Sequence, residues 1–183
     1  MRIIAGKYRA KILKSPKSGV VRPTSDRARE ALFNILNSKL NGEWDNCKFL
    51  DVFAGTGAVG LEALSRGAEK VGFIDMHTEN LLQNVKLFPQ EQKKITICKA
   101  WAENLPVAGE GYNLVFLDAP YAKNLSEPAL DQLLQKKWLE QDALVVVETQ
   151  KDENFVPSSA FEIIDERVYG PAKFHFLRLE NKF

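Results

Sequence analysis

The sequence predicts an α/β fold: a mostly parallel seven-stranded sheet that finishes in an antiparallel hairpin, preceded by a basic N-terminal β-hairpin arm. Three observations predict it. Between residues 47 and 149, short apolar runs alternate with segments of helical periodicity. The apolar runs are almost free of polar residues, as strands must be when helices cover both faces of a parallel sheet. The last two strand-like runs, 161–170 and 173–180, are separated only at Gly170-Pro171, too briefly for a crossover helix, so they must pair antiparallel.

The elements follow in order. RIIAGKYRAKIL (2–13) places Gly6-Lys7 between two β-prone runs and reads as a short hairpin; 15–23 is loop-like. Thr24 or Ser25 can cap a helix to about Leu40, because Ala28, Leu32, Ile35 and Leu36 recur at spacings of three and four before Asn41-Gly42. Strands are expected at 47–53, 70–76, 95–100, 112–118 and 143–149. Helices are expected from Ala58 to Ser65, ended near Gly67, from Thr78 to Phe88, closed by Pro89, and from Pro128 to Leu139. The chain divides into an arm, 1–23, and an α/β domain, 24–183.

A chain of 183 residues can bury a core without disulfide or metal staples. Its two cysteines, Cys47 and Cys98, form no C-x-x-C, which suits a reducing cytoplasm rather than a disulfide framework. No apolar run reaches the length of a signal peptide or membrane span. The net charge of +1 conceals an asymmetry. Residues 1–40 hold ten basic and two acidic residues, a net of +8, which leaves 15 basic and 22 acidic residues, a net of −7, to the other 143. A basic segment on an acidic body suits a polyanion partner; the plainer reading is a solvated surface. The two histidines, His77 and His175, have no acid or thiol cluster around them, so no metal site is expected, and Arg27 and Arg29 read as solvent-facing.

DVFAGTGAVG (51–60) contains G-x-G-x-x-G at Gly55, Gly57 and Gly60, with Asp75 twenty residues after the first. Alone, that motif says only that a strand ends, the backbone turns where glycine fits, and a helix N-terminus faces a ligand. Asp75 suits a ribose diol, so the pattern implies an adenosine-containing ligand. Two features turn it away from a dinucleotide. Asp51, inside the strand, would repel a pyrophosphate but hold a cation such as S-adenosylmethionine, with its ammonium and sulfonium. FLDAPY (116–121) delivers an acid, a proline and an aromatic ring to the carboxyl edge of the sheet, where such folds bind ligands. Gly60 reads as helix–sheet packing.

With those residues in view, the chain resembles the RsmD family of bacterial small-subunit (16S) ribosomal RNA guanine-N2 methyltransferases. DVFAGTGAVGLEALSRGA looks like motif I of class I S-adenosylmethionine-dependent methyltransferases, and DAPY like the (Asp/Asn)-Pro-Pro-(Tyr/Phe) motif of amino-group methyltransferases. RPTSDRAREALFNIL (22–36) and Tyr169-Gly170 match the family along nearly the whole chain. The resemblance implies a Rossmann-like class I methyltransferase fold, S-adenosylmethionine as cofactor, and an RNA substrate within a ribosomal particle. It implies cofactor contacts at Asp51, Phe53, Gly55, Thr56, Gly57, Asp75, Trp101, Ala102 and Thr24, and RNA contacts at Lys7, Arg9, Lys11 and Arg22. Two positions depart from the family: Ala119 stands where the motif has its first proline, and Trp101 where relatives carry Asp or Asn. Trp101 either packs on the adenine or belongs to the core.

The implied reaction is an in-line displacement in which a base amine attacks the sulfonium methyl group. Asp118 and the carbonyl of Ala119 or Pro120 would accept the amine hydrogens, and Tyr121 would stack on the base. A target in a duplex must be flipped out. The alternatives are an adenine-N6 methyltransferase acting on DNA or RNA, and a non-catalytic RNA-binding assembly factor; a dinucleotide dehydrogenase stands further off.

Overall fold

The computed structural model describes residues 1–15, 26–120 and 124–180. The expected caps Thr24 and Ser25, together with Arg22 and Tyr121, lie outside the described residues. Seven strands form one sheet: β1 (Lys48–Val52), β2 (Lys70–Ile74), β3 (Ile95–Cys98), β4 (Tyr112–Leu117), β5 (Leu139–Gln150), β6 (Phe161–Tyr169) and β7 (Ala172–Leu179). Their order is β3-β2-β1-β4-β5-β7-β6. The first five run parallel, and β7 enters antiparallel between β5 and β6. The predicted terminal hairpin is therefore present, and its second strand is the one that joins the parallel sheet.

Both faces are covered, which explains the apolar strands. Phe49, Phe73, Phe116, Val146 and Phe174 point to one face, where they pack with α1 (Asp26–Lys39), α2 (Ala58–Arg66) and α3 (Glu79–Val85). Leu50, Val52, Ile74, Val115, Leu117 and Val147 point to the other, against Ala129, Leu130 and Leu133 of α4 (Ser126–Gln135). Residues in register on neighbouring parallel strands share a face, so the alternation carries across the sheet. Among the described residues no helix is long and apolar enough to cross a membrane.

Three expectations are corrected. The helix predicted from Pro128 begins two residues earlier, at Ser126, and ends at Gln135. Proline is tolerated there because the first-turn amides of a helix have no intrahelical acceptor. Leu139 instead opens β5, paired with Tyr112. The helix expected to reach Phe88 stops at Val85, and Pro89–Lys94 form a 3-10 helix that carries the chain to β3. Arg29 is not solvent-facing: it is 1% exposed, and its Nη2 donates to the Arg2 carbonyl (2.6 Å) and to Asp26 Oδ1 (3.0 Å).

The N-terminal hairpin has one antiparallel bridge, Arg2 with Ile12, and lies docked on the domain. Ile3 and Leu13 are buried in the same core as α1 and α2. The backbone amides of Ile4 and Ala5 donate to the buried Glu62 carboxylate at 2.7 and 3.0 Å. The Lys7 amide donates to the Ser65 carbonyl (2.7 Å) and the Tyr8 amide to Ser65 Oγ (2.9 Å). Gly6 makes this approach possible. Its φ is +82°, and a Cβ there would lie 1.9 Å from the Ser65 carbonyl oxygen. No residue with a side chain fits.

Candidate active site

The strand register builds the site. Val52, Ile74 and Leu117 are in register at the carboxyl ends of β1, β2 and β4. The residues that follow them, Phe53, Asp75 and Asp118, therefore leave the same sheet edge side by side. The Asp118 amide donates to the Val52 carbonyl (3.4 Å), tying β4's exit to the start of the glycine loop.

The loop turns where side chains cannot follow. Gly55 has φ +55° and Gly57 φ +75°. Phe53 adopts φ 61°, a strained value for a bulky residue and of the kind that collects at functional sites. A Cβ on Gly55 would meet only the Phe53 carbonyl oxygen, at 4.0 Å, so the loop is open on that side to a ligand; one on Gly57 would lie 2.4 Å from Leu81. Gly60 meets the ring of Phe73 in the same way, at 2.4 Å, so its role is helix–sheet packing.

Asp75 ties the glycine loop to the connection between β2 and α3: its Oδ2 accepts from the Gly55 amide and its Oδ1 from the His77 amide, both at 2.7 Å. Asp51 lies deeper than a ligand-facing residue. It is 2% exposed, beneath the loop, and its Oδ2 accepts from the Gly60 amide (2.8 Å) in the first turn of α2. It thus does the work of a helix cap from within a strand, where Gly57 offers no side chain. Burial pushes its carboxyl well above the ordinary value; the Gly60 bond opposes this, and the charges of Asp118 and Asp75 add to it. The three acids therefore form one electrostatic cluster at the sheet edge, suited to a cation and hostile to a pyrophosphate.

Trp101 does not belong to the core. It is 51% exposed, and its ring stands perpendicular to that of His77 at 5.7 Å, beside the residue whose amide binds Asp75. Ala102, next to it, is buried. Ala119 is buried and Pro120 exposed at the end of β4. Thr56 is nearly buried; its carbonyl accepts from Asn84 Nδ2 (2.9 Å) and its hydroxyl lies 3.8 Å from Met1 Sδ. Among the described basic residues, Lys7 Nζ binds Glu91 (2.7 Å) with its side chain still 65% exposed. Lys11 Nζ lies 4.9 Å from the Phe88 ring centre. Arg9 lines a cavity of about 350 Å³ with Arg2, Asp26 and Glu30.

Set beside known proteins, residues 1–178 match the family model described as Conserved hypothetical protein 95. The Ribosomal RNA small subunit methyltransferase D of Haemophilus influenzae is 34% identical over 176 residues, covering 93% of this chain and 89% of its own. The chain belongs to the RsmD family. The protein of the same name from Escherichia coli K12 is 34% identical over 185 residues, covering 98% of this chain and 90% of its own. The solved structure of the Escherichia coli protein yhhF superposes with a TM-score of 0.82 at 30% identity, covering 100% of this chain and 99% of that one. The fold is thus that of class I methyltransferases.

Sequence reasoning missed Glu62, Asn84 and Glu91, the buried polar residues that hold the N-terminal segment. Their arm partners lie 57 to 84 residues away, and no local pattern marks them as buried.

Proposed function

We propose that the protein transfers the methyl group of S-adenosylmethionine to the exocyclic N2 amine of a guanine in small-subunit ribosomal RNA. The observation that carries this reading is the shared sheet edge of the open Gly55–Gly57 turn, Asp75 and Asp118, with the charges of Asp75 and Asp118 acting on the buried Asp51 and no basic side chain in the turn. The names of the two 34% identical relatives support the substrate.

The residues present fit this cofactor. An open glycine turn admits an adenosine and amino-acid chain, Asp75 can accept from ribose hydroxyls, and the acid cluster offsets the ligand's positive charges. When bound, S-adenosylmethionine supplies an activated methyl group and a neutral leaving thioether. The chain supplies position. Asp118 accepts one hydrogen of the incoming amine, and the Ala119 or Pro120 carbonyl a second, which turns the nitrogen lone pair toward the methyl and stabilises the charge it acquires. Tyr121 stacks on the extruded base, Trp101 contacts the adenine, and Thr24 contacts the cofactor's amino-acid end. The segment 1–23 grips phosphates through Lys7, Arg9, Lys11 and Arg22, in a cytoplasmic ribosomal particle.

The test is methyl transfer from labelled S-adenosylmethionine to small-subunit RNA, to particles and to DNA, with the modified nucleoside identified by mass spectrometry. N2-methylguanosine in RNA is expected. N6-methyladenosine would replace the reading with the adenine one, and cofactor binding without transfer to any substrate would favour an assembly factor.

A further inference from the structure

Asn84 is fully buried on α3, and its side-chain amide joins the exit of the N-terminal hairpin to the glycine loop. On one side, Oδ1 accepts from the Lys14 amide (2.8 Å) and Nδ2 donates to the Lys14 carbonyl (3.1 Å), as a neighbouring strand would. On the other, Nδ2 donates to the Thr56 carbonyl (2.9 Å), the peptide between the two left-handed glycines. Both amide hydrogens and the carbonyl oxygen are engaged. The turn of the N-terminal hairpin has separate anchors on Glu62, Ser65 and Glu91. Asn84 holds only the segment's exit.

We propose that Asn84 is a positioning residue that couples cofactor binding at the glycine loop to the exit of the basic N-terminal segment. A ligand that orders the loop fixes the Thr56 peptide, and the same amide group then fixes Lys14, the last basic residue of the hairpin before the 16–25 segment. Cofactor binding thereby fixes the exit of the basic hairpin at Lys14. The inference rests on the reading of the glycine loop as the cofactor site.

Amide exchange read by NMR in the full chain, with and without S-adenosylhomocysteine, tests it. The ligand is expected to slow exchange at Lys14 about tenfold, with little change at Ile4 and Ala5, which Glu62 holds. Asn84→Asp keeps an acceptor for the Lys14 amide but loses both donors, so this slowing should fall below about twofold while the ligand still binds. Should that variant not fold, Asn84→Ser, smaller and uncharged, is read in the same way. Ligand-induced shifts at Gly55 and Gly57 without slower exchange at Lys14 would overturn the coupling alone, as would slowing that survives in the variant. No shift at Gly55 and Gly57 would overturn the cofactor reading, and the proposal with it.

Discussion

Asp51 shows how one carboxylate can serve both fold and ligand. Burial raises its proton affinity in the folded chain, so the ligand-free protein is expected to lose stability as pH rises from the ordinary carboxylate value of 3.8 through the raised one. A cationic ligand favours the ionised form. Affinity for S-adenosylmethionine should therefore increase with pH over that window, with a proton released on binding. Calorimetry in two buffers of different ionisation heat measures the release, and Asp51→Asn, which keeps an acceptor for Gly60, should abolish it. At Gly60 the expectation is steric. Gly60→Ala drives a methyl group into the Phe73 ring, and denaturant unfolding should show a loss of about 1–3 kcal/mol. Gly60 was legible as helix–sheet packing, and Asp51 was conspicuous as an acid inside an apolar strand, but the sequence pointed it at a ligand and did not show its burial beneath the loop or its bond to Gly60. Asn84 and Glu62 break none: polar residues on helices are ordinary, and only the tertiary fold, which brings the chain's first fifteen residues onto α2 and α3, makes them interior.

At the scale of elements, the alternation of strand and helix was readable because covered parallel strands must be apolar. The boundaries were less so. Pro128 read as a helix start, although a first turn accepts proline at its third position as well; the α4–β5 junction depended on Leu139 pairing with Tyr112, a contact between distant residues. The hairpin's strands were legible from Gly6-Lys7, but its docking was not. Hydrogen bonds from Lys7 and Tyr8 hold the Glu91 carboxyl below its ordinary 4.5. A depressed carboxylate stabilises the docked hairpin above that value, and the contribution is lost as pH falls through the depressed one. Tyr8 ring resonances should therefore report loosening at acid pH, and Glu91→Gln should remove this step and lower the thermal midpoint by a few degrees.

On the scale of the whole molecule, residues 1–40 carry a net +8 and the other 143 a net −7; among the described basic residues of that segment, Lys7 and Lys39 pair with the body acids Glu91 and Asp165. Lys7 remains largely exposed beyond its ion pair, so the face is available to phosphate. Neutralising Lys7, Arg9 and Lys11 together should weaken RNA affinity and flatten its salt dependence, a slope measured by binding titration at several ionic strengths. The central claim is that methyl transfer occurs where Asp118 meets the glycine loop. Its most direct test is single-turnover transfer by Asp118→Ala, with cofactor affinity measured on the same sample. A loss of about 10²–10³ in rate with cofactor affinity nearly unchanged is the expected result; turnover equal to that of the unaltered chain would contradict it.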